Sequence, residues 1–202
     1  MNPHQVTRDF EREIAAYTGA RFAVTTTSCT AALLIALLWF RLKSGGEFAT
    51  VTVPRYTYVG VGMSVLNSGH RIAFRDETWS GEYQMSPYNL YDSARRTRRG
   101  MFRPGSMQCL SLHWSKILGV SQGGVILHDD FHADGYLRRL RFDGRREGVR
   151  PVDDDFNIVG HHCYMAPATA AEALTRLALL PDSNPDLPWD DYADLSTMRV
   201  FR

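Results

Sequence analysis

Ser111-Leu112-His113-Trp114-Ser115-Lys116 places a serine and a lysine five residues apart at the end of an apolar run, Met107 to Leu112. Gly123-Gly124 then opens a second apolar run that ends at Leu127. The pattern reads as strand, turn, strand, with the lysine in the turn. A lysine amine held there can attack a carbonyl carbon and form a Schiff base. Three upstream segments carry groups that suit such a lysine. Ser28-Cys29-Thr30-Ala31-Ala32-Leu33 stands at a strand-to-helix junction, where free N–H groups and the positive end of the helix dipole favour a phosphate. The hydroxyl of Thr30 is a further donor, while Ser28 reads equally well as a plain N-cap. Asp92 closes the short run Tyr88 to Tyr91. Ligands of open α/β sheets gather at the carboxyl ends of strands, so a carboxylate there can meet a protonated ring nitrogen; an ordinary capping aspartate is the alternative. Tyr58, in the segment Tyr56-Thr57-Tyr58 after Pro54, can stack on a planar ring or pack in the core.

These groups need a scaffold, and the chain's periodicity supplies one. Apolar residues at 6, 10, 14 and 17 predict a helix that stops at Gly19. A short strand follows over Phe22 to Thr26, then a long apolar helix from Cys29 to Lys43, ended by Ser44-Gly45-Gly46. Phe48 to Val53 reads as a strand, Thr57 to Leu66 as a helix and Arg71 to Phe74 as a strand. This alternation predicts an α/β sheet with parallel strands. Asp76 to Pro87 reads as a polar loop, Tyr88 to Tyr91 as a strand and Arg95 to Pro104 as a basic irregular stretch. After the two strands around Lys116, Asp129-Asp130 cap a helix running to Phe142, with arginines near its end as the macrodipole favours. A long loop, Asp143 to Gly160, and an alanine-rich helix, Ala166 to Leu180, precede a proline-bearing tail.

In order, the segments Ser28–Leu33, Pro54–Tyr58, Tyr91-Asp92-Ser93-Ala94, and Ser111–Lys116 with Gly123-Gly124 resemble the sugar aminotransferases of the DegT/StrS type, a branch of the fold-type I enzymes that use pyridoxal 5′-phosphate (PLP). Phe10 to Gly19, Arg138 to Gly144 and Tyr164 to Ala171 resemble further segments of that family, so the likeness extends over about residues 8 to 180. The resemblance implies a three-layer large domain with a mostly parallel central sheet over residues 1–180, an extended tail over 181–202, and a C-terminal small domain largely missing. It implies that Lys116 is the catalytic lysine bound to the PLP aldehyde. It also implies that Asp92 meets the pyridine nitrogen, that Tyr58 stacks on the ring, and that Cys29, Thr30 and Ser111 hold the phosphate. His162 falls where the family usually has an asparagine that reaches the phosphate of the neighbouring subunit's cofactor. The implied activity is transfer of an amino group from an amino acid donor to the keto sugar of a nucleotide sugar, in a homodimer. Some positions depart from the pattern. Arg95 replaces a glutamine or histidine, Tyr164 replaces an arginine, and the usual strand and helix between Asp76 and Tyr88 are missing. These departures leave a second expectation open, a PLP-fold protein without transferase activity that serves as a binding or partner subunit.

Composition bounds the reading further. The 202 residues suffice for one domain with its own core. A net charge of +1 argues against nucleic acid or an anionic membrane as partner, and the basic cluster Arg95, Arg96, Arg98, Arg99 and Arg103 lacks a groove-reading motif. That cluster reads either as a contact for a substrate phosphate or as a solvated loop. The longest apolar run, Ala31 to Phe40, is too short to span a bilayer, and the first residues lack the layout of a signal peptide. Cys29, Cys109 and Cys163 have neither zinc nor redox spacing, and Asp153 to Asp155 lack metal-ligand spacing. The expectation is a cytoplasmic protein without a metal.

Overall fold

The computed structural model describes residues 4–189 and 192–202. Residues 1–3, within the expected large domain and the amino-terminal reading, and residues 190 and 191, within the expected tail, lie outside the described residues. The strands are β1 (Phe22–Thr26), β2 (Thr50–Pro54), β3 (Arg71–Arg75), β4 (Tyr83–Gln84), β5 (Leu90–Asp92), β6 (Met107–Ser111) and β7 (Gly124–His128). The α-helices are α1 (Gln5–Thr18), α2 (Cys29–Lys43), α3 (Val59–Asn67), α4 (Phe131–Leu140) and α5 (Pro167–Ala178). Two of these helices stop or start by local chemistry that the sequence shows. α1 ends at Gly19, whose φ of 82° is the left-handed conformation that glycine adopts without a Cβ penalty. α4 starts at Asp130, whose carboxylate accepts the N–H groups of His132 and Ala133.

β1, β7, β6, β5 and β4 form one ladder in that order, and β2 pairs with β3. A single antiparallel bridge, Thr52 to Ser86, joins the two, reinforced by Arg75, which donates to the carbonyls of Thr52 and Gln84 at 2.8 Å each. The pairings fix the directions. β2 runs with β3 and β5 with β6; β7 opposes both β6 and β1, and β4 opposes β5. Since Thr52 to Ser86 is also antiparallel, β1, β2, β3, β5 and β6 share one direction, and β4 and β7 run against it. The sheet is therefore mixed by neighbours and mostly parallel by direction. β7 opposes β6 across the connection over 112–123, which the Leu112 N–H to Gly123 and Val120 N–H to Leu112 hydrogen bonds close as a backbone turn.

Asp76 to Pro87 is more than the expected polar loop, because it contains β4. This two-residue strand fills the space between β5 and β2.

Alternation along the central strands sends side chains to two faces. Cys109 and Ile126 join Leu33, Ile35, Leu37 and Leu137 of α2 and α4. Leu110, Val125 and Leu127 join Phe10 and Ile14 of α1 and Ala170, Ala173 and Leu177 of α5. The result is helices, sheet, helices. No helix of the described residues is long and apolar enough to cross a membrane.

One buried charge cluster ties α1, β1 and α4 together. Glu11 accepts the N–H of Thr25 at 2.9 Å and its hydroxyl at 2.8 Å, and it forms ion pairs with Arg138 and Arg141. Burial alone would raise the Glu11 carboxyl, but the Arg141 and Arg138 charges outweigh it and hold it at about 2 against an ordinary 4.5. A depressed folded-state value means that the stabilisation is complete above pH 4.5 and drains as pH falls toward 2. We predict that Glu11→Gln lowers the unfolding free energy by about 1–3 kcal/mol, since it removes the buried charge that Arg141 and Arg138 share and leaves each with one carboxylate, Glu147 and Asp134. Urea unfolding of both proteins at neutral pH checks the loss. The same series between pH 4.5 and 2 should show a weaker pH dependence in the variant.

Candidate active site

β2, β3, β5 and β6 end on one edge of the sheet, and the side chains just past those ends converge. β1 ends there too, and α2 starts two residues later. The extended backbone of Ser28 caps α2, its hydroxyl accepting the Ala31 N–H at 3.1 Å, so the N-cap reading of Ser28 holds. The N–H groups of Cys29 and Thr30 open the helix and have no intrahelical acceptor, so the cap leaves donors facing the same edge. Two glycines let other elements close on this helix start. A Cβ on Gly124, at the head of β7, would lie 2.3 Å from the Ser28 carbonyl oxygen. One on Gly60, in α3, would lie 2.7 Å from Thr30 Oγ1.

Lys116 sits in the turn after β6. The turn is built by backbone: Lys116 N–H donates to the His113 carbonyl at 2.8 Å, Leu112 N–H to Gly123 at 2.9 Å and Val120 N–H to Leu112 at 2.9 Å. Gly119 has a φ of 50°, and a Cβ there would lie 2.9 Å from the Lys116 carbonyl oxygen, so the turn needs glycine. Burial pushes the Lys116 amine below its ordinary value and the Arg95 charge adds to this, while Asp92 and Cys29 oppose them. The neutral, nucleophilic form is thereby more accessible than in a free lysine.

Asp92 ends β5 and is buried. Its Oδ2 accepts the Tyr83 hydroxyl at 2.7 Å, and its Oδ1 accepts the Ala94 N–H at 3.0 Å and the Cys29 thiol at 3.9 Å. Burial raises its pKa; the Tyr83 and Ala94 hydrogen bonds and the Lys116 charge work against that.

Cys29, Thr30, Tyr58, Asp92, Ser111 and Lys116 all line one cavity of about 480 Å³, within the roughly 300–1,000 Å³ of small-molecule sites. His162 does not line it. Its side chain is exposed, and its Nδ1 lies 2.7 Å from Asp143 Oδ2. The basic cluster is largely committed to carboxylates: Arg96 to Glu82 and Asp186, Arg99 to Asp182, and Arg103 to Glu82. Arg98, Arg99 and Arg103 are exposed, as the solvated-loop reading expects, and the ion pairs of Arg96, Arg99 and Arg103 occupy groups that an open phosphate contact would need. Arg95 is buried, its guanidinium donating to the Pro188 carbonyl and to the Tyr192 hydroxyl at 3.4 Å. His113 lines the cavity, whereas Trp114 is exposed.

Sequence reasoning missed Trp79, Tyr83 and Tyr192. Trp79 and Tyr192 line the cavity as nearly parallel rings 6.3 Å apart. Tyr192 arrives because the tail crosses the carboxyl edge, with Gly81 N–H donating to Leu187, Leu187 N–H to Arg95, and Leu195 N–H to Arg55. An aromatic every few residues from Trp79 to Tyr88 was the only available signal for the first two, and a polar loop gave no face on which to place them. Among the described residues, no cluster of histidine, cysteine or carboxylate could hold a metal ion.

Residues 2–91 match the sequence profile of the DegT/DnrJ/EryC1/StrS aminotransferase family. Over that stretch, a little under half of its length, the chain resembles this family. It is 31% identical over 128 residues to the spore coat polysaccharide biosynthesis protein SpsC of Bacillus subtilis, a match covering 62% of this chain and 32% of that protein. Among solved structures it is similar to DesI, determined in the presence of its TDP-sugar product, with a TM-score of 0.67, 20% identity, and coverage of 88% of this chain and 53% of DesI. It is also similar to Helicobacter pylori PseC, an aminotransferase involved in the biosynthesis of pseudoaminic acid, with a TM-score of 0.70, 16% identity, and coverage of 86% and 57%. At these identities the two structures show the fold alone. The chain spans little more than half their length, and about a third of SpsC.

The residues present fit the cofactor of this family. A buried carboxylate, a lysine whose amine is pushed below its ordinary pKa, and the donors of a helix start face one cavity, a donor set suited to a ring nitrogen, an aldehyde and a phosphate. The close approach at Gly124 gives a direct test of the helix start. Gly124→Ala should lower stability by about 1–3 kcal/mol through forced displacement of the Ser28 backbone. Gly135→Ala, where a Cβ meets nothing within 4 Å, should leave it equal or slightly higher. Thermal unfolding of both variants checks the contrast.

Proposed function

We propose that this chain binds PLP and transfers an amino group from an amino acid donor to a keto sugar carried on a nucleotide. The observation that carries the reading is the convergence of Lys116, Asp92 and the start of α2 on one cavity. Family membership of the relatives and the nucleotide-sugar product named for DesI support the substrate class.

When bound, the cofactor supplies an aldehyde that captures amines and a ring that accepts electrons. The chain's own residues do the rest. Lys116 holds the cofactor in the resting protein. Its amine would also be the base placed to take and return the proton at the donor's Cα. Asp92 keeps the ring nitrogen protonated. Cys29 and Thr30 hold the phosphate through backbone N–H groups and the Thr30 hydroxyl, with Ser111 beside them, and Tyr58 covers the ring. We take the working form to be a cytoplasmic homodimer, in which His162 serves the neighbouring subunit's phosphate. The exposed side chains of Trp114, Val152 and Val159 are candidates for burial between copies. Sedimentation should then give twice the chain mass, and a monomer would remove the role of His162.

The tail favours a second reading. Tyr192 brings the chain's own tail into the wall of the cavity, which suits a protein that holds PLP without transferring an amine.

The test is borohydride reduction of the purified protein with PLP, followed by mass spectrometry of peptides and by absorption spectra. The reading expects a covalent adduct on Lys116, its loss in Lys116→Ala with the fold retained, and bleaching of the cofactor band by an amino donor. An adduct elsewhere, or none, removes the proposal. An adduct without response to any donor moves the assignment to the second reading.

A further inference from the structure

Tyr83 and Asp92 are register partners in the antiparallel pairing of β4 with β5. The Tyr83 hydroxyl donates to Asp92 Oδ2 at 2.7 Å, and both side chains are buried. A hydrogen bond to an ionised acceptor in such surroundings is among the strong ones. A phenol that gives its proton to Asp92 can only accept from its other neighbour, and Thr57 Oγ1 lies 2.7 Å from Tyr83 Oη. The chain is therefore directed: Thr57 donates to Tyr83, and Tyr83 donates to Asp92. Two neighbours fix where the ring sits. Trp79 packs edge-on against it at 4.8 Å, and Trp79 is itself held by a hydrogen bond from its Nε1 to the Tyr56 carbonyl at 2.9 Å.

We infer that Tyr83 is a positioning residue for Asp92, its hydroxyl fixing the direction of the carboxylate and holding it ionised, with Thr57 fixing the direction of the hydroxyl. The inference rests on the assignment of Asp92 to the ring nitrogen made above. It gives a function to β4, in a segment that would otherwise only fill the sheet.

The electrostatics agree in sign. The groups facing Asp92 are Tyr83 from β4, Cys29 from the first turn of α2, Cys109 from β6, and Lys116 from the turn after β6. Burial pushes the Asp92 carboxyl up, and the Tyr83 hydrogen bond is the foremost influence bringing it back down. Burial and the Asp92 charge push the Tyr83 phenol and the Cys29 and Cys109 thiols well above their ordinary values. Tyr83 therefore keeps its proton throughout the working range and remains a donor. Without that donor the charged carboxylate loses support, its pKa rises, and a protonated Asp92 no longer offers a charge to a ring nitrogen.

Tyr83→Phe removes the hydroxyl and keeps the ring. The primary readout is the Asp92 carboxyl titration in the cofactor-free chain, followed by carbon-13 NMR, with Asp92→Asn assigning the resonance. The expected shift is upward by roughly 1–2 pH units, from the worth of a hydrogen bond to a charged group. Thr57→Val should shift it in the same direction by less. In the PLP-loaded chain, the pH midpoint of the cofactor's absorption band should move in Tyr83→Phe, an effect that a merely structural role would not produce. A folded Tyr83→Phe with an unmoved Asp92 titration overturns the inference, even where PLP is fixed at Lys116. An upward shift without any adduct at Lys116 sustains the coupling of Tyr83 to Asp92 and removes the proposed function instead. Should Tyr83→Phe fail to fold, an unmoved Asp92 in Thr57→Val overturns the inference in its place.

Discussion

A carboxylate at the end of β5 is costly to bury unless its oxygens find donors, and much of the architecture around the cavity serves that need. Asp92 ends a strand whose neighbours cover it on both sides, so water cannot solvate it freely. Its oxygens are met by a phenol, a backbone N–H and a thiol, with the Lys116 amine close enough to act on its ionisation. None of these is a guanidinium, in contrast to Glu11, which is held by two. The difference suits the two roles. Glu11 is neutralised within the fold and holds helices to a strand. Asp92 is met by neutral donors and faces the cavity, with burial pushing its pKa up and those hydrogen bonds working against that.

The elements were largely legible because their chemistry is local. The strand over Phe22–Thr26, the helix over Cys29–Lys43, the stop at Gly19 and the cap at Asp130 each depend on residues within a few positions, and the structure places them as the pattern predicts. β4 was not legible. Two residues carry no periodicity, and Tyr83–Gln84 becomes a strand only because the edges of β5 and β2 stand on either side of it. The cavity was legible in the same uneven way. Cys29, Thr30, Tyr58, Asp92, Ser111 and Lys116 lie at junctions between elements, where pattern and resemblance both point. Tyr83 and Tyr192 reach the site through tertiary contacts that leave no mark in their own surroundings. The arginines of 95–103 show the opposite error. Their density suggests an anion site, but their partners Glu82, Asp182 and Asp186 are distant in sequence and claim most of them.

The tail contributes to the site as much as the strands do. It adds Tyr192 to the wall, and it holds Arg95 by the Pro188 carbonyl and the Tyr192 hydroxyl. The position of the Arg95 charge, and through it the balance of the Lys116 amine, thus depends on residues nearly a hundred positions later. Substitutions in the tail reach the centre of the cavity by that route.

The pairing of β1 with β7 brings together residues about 100 positions apart, a long-range contact of the kind that slows folding. α2 begins where β1 ends, and its first residues are set against Gly124 at the head of β7. The helix start cannot therefore take its final place while the chain is still short. During synthesis the start of α2 therefore acquires its position late, when β7 has emerged and closed the ladder.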